Sequence, residues 1–200
     1  MTDFRQAIRD YIAREARPVE KFGHQPRLYA LARQVGAGHE YDHDVLFAAA
    51  WLHDLGVFTG HRPEDPEQLA QWDNAAYAAE RAQALLKEMH FPSEKVNAVV
   101  EAIRTHQPAC HPSAIEGVIL RDADILEQLG AIGIMRTVCK IGRDTRFPTF
   151  TAAAESLRKA LLTLPAQIRL DTTRALAQPK IELMQVFLDS LENESHPALY

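Results

Sequence analysis

The stretch Ala48-Ala49-Ala50-Trp51-Leu52-His53-Asp54-Leu55-Gly56 is an apolar, helix-like run that ends in an adjacent His-Asp pair followed by a glycine. Neighbours on a helix point about 100° apart around the axis. Both side chains can therefore reach one ion only if it lies near the helix terminus or if Asp54 approaches obliquely, and the pair needs partners from elsewhere in the chain. Three other places offer them: His24 in Gly23-His24-Gln25-Pro26-Arg27-Leu28, His106 in Ile103-Arg104-Thr105-His106, and Asp124 in Leu120-Arg121-Asp122-Ala123-Asp124-Ile125-Leu126. The order is His, then His-Asp, then Asp.

Helical spacing predicts the elements that carry these residues. Phe4, Ile8, Tyr11 and Ile12 form a first stripe before Pro18. A second helix runs from about His24 to Val35 and stops at Gly36-Ala37-Gly38, so His24 opens a helix. Asp42 is a candidate N-cap for the third helix, which leads to the doublet, and the flanking His39 and His43 read as surface residues. From Phe58 to Asp73 the chain reads as a loop of the length reserved for function or mobility, a candidate lid. Asp73 or Asn74 caps a fourth helix that stops at His90-Phe91-Pro92. Ser93 caps a fifth, in which Val96, Val99, Val100, Ile103 and His106 fall on one stripe, so His106 faces inward. A sixth runs from about Ser113 to Leu129; Val118, Asp122, Ile125 and Leu129 share one face and Asp124 lies on another.

Gly130 to Pro148 is punctuated by glycine and carries Arg136, Lys140, Arg143 and Arg146. The remainder reads as helices over Leu157–Leu162 and Ile168–Leu176, then a last one opened by Pro179 at its first turn. No segment sustains strand alternation. The expectation is an all-α, single-domain bundle over residues 1–200 with about eight helices.

At 200 residues the chain suits one core, since single cores serve up to about 250 residues. Its formal charge of -5 gives no general attraction to a nucleic-acid polymer or an anionic membrane, so any phosphate must be held locally. Cys110 and Cys139 are too few for a disulfide framework and lack metal-ligand spacing, which suits a reducing compartment. With no signal-like opening and no apolar run of about 18 residues, the expected location is the cytoplasm.

The four residues in order resemble the HD superfamily of metal-dependent phosphohydrolases, and the match covers most of the chain. Both Trp51-Leu52-His53-Asp54-Leu55-Gly56 and Asp122-Ala123-Asp124-Ile125-Leu126-Glu127-Gln128-Leu129-Gly130 are similar to the family's usual contexts. The resemblance implies that His24, His53, Asp54 and Asp124 ligate a metal and that Asp54 also orients the attacking water. It further implies hydrolysis of a phosphate ester or anhydride in a small phosphorylated molecule, with a nucleotide favoured. A mixed imidazole and carboxylate shell suits Mn, Fe, Co, Ni or Zn better than Mg.

Arg27, one turn after His24, and Lys140 and Arg143 after Gly130 are candidates to hold substrate phosphate, and His106 is a candidate catalytic residue. Family members with two metals carry a further histidine where this chain has Gln71-Trp72-Asp73-Asn74. One ion per chain is therefore expected, although His106 matches a position that serves a second ion in some relatives and Asp73 could substitute for the missing histidine. The competing reading is an inactive HD scaffold that binds a nucleotide or a protein.

Overall fold

The computed structural model describes residues 3–144, 146–195 and 199. Among them are ten α-helices and no strand; an isolated bridge pairs Thr59 with Arg62. The all-α expectation holds, with a somewhat larger helix count than the sequence suggests. Two compact units are distinguished, Met1–Arg121 and Asp122–Tyr200.

The first unit contains α1 (Phe4–Glu15), α2 (His24–Val35), α3 (His43–Leu52), α4 (Pro66–Ala70), α5 (Asn74–Glu88), α6 (Val96–Arg104) and most of α7 (Ile115–Glu127). Helix α3 is its centre. Every residue from Val45 to Leu52 is buried, and α1, α2 and α6 pack around it. A helix with no polar face is stable only when enclosed, and three successive alanines let its neighbours approach closely. Its polar N-terminus is tied down instead. Asp42 caps it, accepting from the Asp44 and Val45 amides at 2.9 and 3.1 Å. Lys95 bridges Asp42 and Asp44 at 2.8 and 2.9 Å. The Arg5 guanidinium, 2.7 Å from Asp44, holds that carboxyl below the usual carboxylate range.

The turn after α3 is equally close-packed. A Cβ at Gly56 would lie 2.5 Å from the Asn74 carbonyl oxygen and 2.7 Å from its Cα, so only glycine lets this turn approach the start of α5. Trp72 Nε1 donates to the Gly56 carbonyl at 2.8 Å.

The second unit holds the end of α7 with α8 (Gly130–Val138), α9 (Phe150–Thr163) and α10 (Asp171–Ser195), the last packing on both α8 and α9. Asp122 is fully buried and accepts from the backbone amides of Arg169 and Leu170 at 3.1 and 2.9 Å. It is a structural carboxylate.

Four local expectations need correction. The stretch from Phe58 to Asp73 contains a short helix, α4, capped by Asp65 with Pro66 at its first turn. Ser93 does not cap α6; a single 3-10 turn, Ser93–Lys95, leads into it with no side-chain cap. The glycine-punctuated stretch from Gly130 begins with a helix, α8, into which the positive φ of 69° at Gly130 turns the chain. Pro179 lies inside one continuous α10 and does not begin a new helix. It forfeits one backbone bond, yet Thr173, Ala177, Met184 and Leu188 are buried along one side and carry the helix through.

Two substitutions test this packing by denaturant unfolding. Gly56→Ala overpacks the turn after α3 and should cost about 1–3 kcal/mol; an unchanged midpoint would contradict the contact with Asn74. Asp122→Ala strips the acceptor from two amides and should cost about 2 kcal/mol, whereas a loss below about 0.5 kcal/mol, the level of an ordinary surface change, would mean that water replaces the carboxylate.

Candidate metal centre

Three of the four expected ligands meet in the first unit. His24 is the first residue of α2, His53 caps the C-terminus of α3, and Asp54 follows it before a single 3-10 turn, Leu55–Val57. His24 Nε2 lies 3.2 Å from His53 Nε2 and 3.4 Å from Asp54 Oδ2, and His53 Nε2 lies 3.6 Å from Asp54 Oδ1. The adjacent pair reaches one point because the helix ends between its members: His53 is still helical (φ -59°, ψ -31°), whereas Asp54 has left the helix (φ -100°, ψ 16°).

His106, two residues beyond the end of α6, joins them. Its ring stands edge-on to that of His53 with centroids 4.9 Å apart, and one ligand atom each from His53, Asp54 and His106 lies within 4.8 Å of the others. The histidines are deeply placed, with His24 5%, His53 1% and His106 3% exposed, while Asp54 is half-buried.

Hydrogen bonding sets the tautomers of two rings. His53 Nδ1 lies 3.0 Å from the Ala50 carbonyl and His106 Nδ1 lies 2.5 Å from the Ile103 carbonyl. A carbonyl oxygen can only accept, so each Nδ1 carries a proton, and in its neutral form each ring has its lone pair at Nε2. Imidazoles that ligate metals are oriented in this way by a second hydrogen bond. The negative ends of α3 and α6 both come to this place, which favours a positive charge there.

The donor set fits a divalent ion. Two ligands each about 2.1 Å from an ion, at angles between octahedral and tetrahedral, stand about 3.0–3.4 Å apart, and the observed separations of 3.2, 3.4 and 3.6 Å fall at or near that range.

The other expected residues are placed less decisively. Asp124 is half-buried on α7 in the second unit, where Gln128 Nε2 donates to its Oδ2 at 3.1 Å. Arg27 is exposed, its guanidinium lying against Gly23, where a Cβ would meet Nη1 at 2.9 Å. Lys140 and Arg143 belong to the turn after α8; the Lys140 amine sits over the Phe147 ring at 5.6 Å. In the same turn Arg146 binds Asp144 at 2.6 Å and holds its carboxyl down at about 2. Asp73 is exposed and accepts from the Ala76 amide at 2.9 Å, so it serves as the cap of α5. His39 and His43 are exposed, as expected. Among the described residues, no helix is long and apolar enough to cross a membrane.

Sequence reasoning did not single out His61, whose ring is bonded to two helices beside this turn. A lone histidine in a polar loop carries no periodic signal that would have marked it.

Solved structures with the same fold span nearly the whole chain. Bacillus subtilis YpgQ in complex with ADP is 23% identical, covers 98% of this chain and 94% of its own, and superposes with a TM-score of 0.67. An HD-superfamily hydrolase from Bacillus thuringiensis is 20% identical over 96% of this chain and 94% of its own, with a TM-score of 0.68. A predicted HD-superfamily hydrolase from an uncultured Thermotogales bacterium is 26% identical over 96% and 88%, with a TM-score of 0.60. No curated protein sequence shows significant similarity to the chain. The HD domain family model matches residues 22–129, more than half of the chain and the whole interval from His24 to Asp124, and the chain therefore belongs to the HD domain family.

Proposed function

We propose that the chain, acting as one unit over residues 1–200, is a metal-dependent phosphohydrolase of a small phosphorylated molecule, with a nucleotide as the favoured substrate. The observation that carries this reading is the convergence of His24, His53 and Asp54 within 3.2–3.6 Å, with the His53 and His106 lone pairs directed by Nδ1 hydrogen bonds. Membership of the HD domain family supports it, as does the binding of ADP by the structurally similar Bacillus subtilis YpgQ.

On this reading His24, His53, Asp54 and Asp124 hold one ion per chain, drawn from Mn, Fe, Co, Ni or Zn before Mg. Such an ion lowers the pKa of water toward neutrality and polarises a phosphoryl oxygen. The protein's own groups do the rest. The Asp54 carboxylate, half-buried and shared between the two imidazoles, orients the attacking water and accepts its proton. His106, whose Nδ1 proton is committed to the Ile103 carbonyl, takes or returns a proton at Nε2. Arg27, Lys140 and Arg143 hold the substrate's phosphate oxygens as charged donors. The three histidines are themselves at most 5% exposed, and low access to water strengthens each of these interactions.

Elemental analysis of protein purified without chelator tests the ligand set. Wild type should carry about one transition metal per chain and His53→Ala less than about 0.2. His106→Ala should keep the metal and lose about 10²-fold in turnover, as expected for a proton-transfer group. Two ions in wild type and one in His106→Ala would make His106 a ligand and the centre binuclear. A wild type with no metal and no activity after Mn, Co, Ni or Zn is added would leave the binding scaffold as the correct description.

Substrate class is tested with nucleoside mono-, di- and triphosphates in the presence of added metal. Release of phosphate or pyrophosphate is expected. Turnover confined to cyclic dinucleotides or to non-phosphorylated amides would overturn the small-nucleotide assignment.

A further inference from the structure

Outside the metal centre, the loop that follows the doublet is fastened by a histidine of its own. His61 has a side chain only 9% exposed, and both of its ring nitrogens are engaged by different helices. Nδ1 lies 3.0 Å from the hydroxyl of Tyr77 on α5, and Nε2 lies 3.3 Å from Oε2 of Glu15 at the end of α1. An ionised carboxylate only accepts, so Nε2 carries a proton, and when the ring is neutral Nδ1 accepts the Tyr77 proton. Burial raises the Tyr77 pKa and so keeps that proton on its oxygen. Glu15 stays ionised although burial acts against it, because Arg14 and His61 hold its carboxyl below the ordinary value. The ring is fixed edge-on to Phe58 and Tyr77, with centroids 6.0 and 5.9 Å away. The three groups are among those that line a cleft of about 770 Å³.

The segment between Asp54 and His61 is braced at nearly every step. The Asp54 carbonyl accepts from the Val57 amide at 3.0 Å, Leu55 from Phe58 at 3.3 Å, and Phe58 from His61 at 3.0 Å. Trp72 holds the Gly56 carbonyl, and the Thr59 amide donates to Arg17 at 3.0 Å. Phe58 is fully buried, so apolar packing already supplies the loop's stability. What the two directional bonds of His61 add is orientation: they fix the far end of a short, stiff turn whose near end is the Asp54 carboxylate.

We propose that His61 is a positioning residue for the metal centre. The Glu15–His61–Tyr77 clamp sets the angle at which the turn delivers Asp54, and thereby the affinity of the site for a divalent ion. This rests on the reading of His24, His53 and Asp54 as ligands. Residues that orient metal ligands through hydrogen bonds change affinity or activity by about 10–100-fold when removed, and a clamp acting through a braced turn belongs at the lower end of that range.

The test is calorimetric titration of Mn²⁺ or Zn²⁺ into metal-stripped full-length protein, with the melting temperature of the stripped protein measured in parallel. His61→Ala should weaken binding about 10-fold. Tyr77→Phe, which keeps the ring and removes only the hydroxyl, should weaken it in the same direction by a smaller factor. His61→Gln, whose carboxamide can accept from Tyr77 and donate to Glu15, should recover part of the loss. Should His61→Ala fail to fold, Tyr77→Phe and Glu15→Gln carry the test. Unchanged affinity in folded variants, whatever their melting temperatures, would reduce the clamp to a structural brace and overturn the proposal while leaving the metal reading intact. A wild type that takes up no ion would overturn both.

Discussion

A buried imidazole must have each of its nitrogens matched, and in this protein that requirement links the fold to the site. His53 stands at the end of a helix that is enclosed on all sides, with its ring 1% exposed. Its Nδ1 proton is taken by the carbonyl one turn back, at Ala50, so its Nε2 lone pair has to face something that accepts electron density. Within 3.2–3.6 Å of it stand His24 Nε2 and the Asp54 carboxylate. His106, locked in the same way by Ile103, adds a third ring. Imidazole nitrogens and a carboxylate gathered in a low-dielectric interior favour a shared positive charge. A cation held there, with the C-termini of α3 and α6 beside it, would be shared by all of them.

The remainder of the first unit can be understood as what keeps that arrangement in place. Burial of Val45 to Leu52 makes α3 immovable laterally, and the Asp42, Asp44, Lys95 and Arg5 network ties its polar end. The turn beyond the doublet admits only glycine at position 56, because α5 begins directly against it. Trp72 and His61 then fasten the loop to its surroundings, so the stretch expected as a lid is secured at several points, among them Gly56, Thr59 and His61. The second unit shows the same economy of polar groups: Asp122 is consumed by two backbone amides.

Much of this architecture is legible in the order of the amino acids. Helical period and capping residues place α1, α2, α3 and α5 closely, because those signals are local: Asp42 caps α3 and Asp73 caps α5 as their positions suggest. The His, His-Asp, Asp order points to the family that the HD domain match shows. Where local signals mislead, packing has overruled them. Pro179 looks like a helix start and sits inside α10, because the buried stripe of Thr173, Ala177, Met184 and Leu188 continues past it. The glycine-punctuated stretch after α7 begins with α8.

Periodicity and capping act over a few residues, and they suffice to place a histidine at the start of α2, a histidine and an aspartate at the end of α3, and an inward histidine on the stripe of α6, which the structure ends two residues before it. Which atoms meet is settled only by the packing of distant segments. His24 and His53 are 29 residues apart in the chain and 3.2 Å apart in space. His61 reaches Glu15 across 46 residues and Tyr77 across 16. Whether a ring nitrogen donates, accepts or is left to bind an ion depends on such distant partners, since hydrogen bonds are directional and short-ranged, and no local pattern encodes the direction in which a side chain ends up pointing.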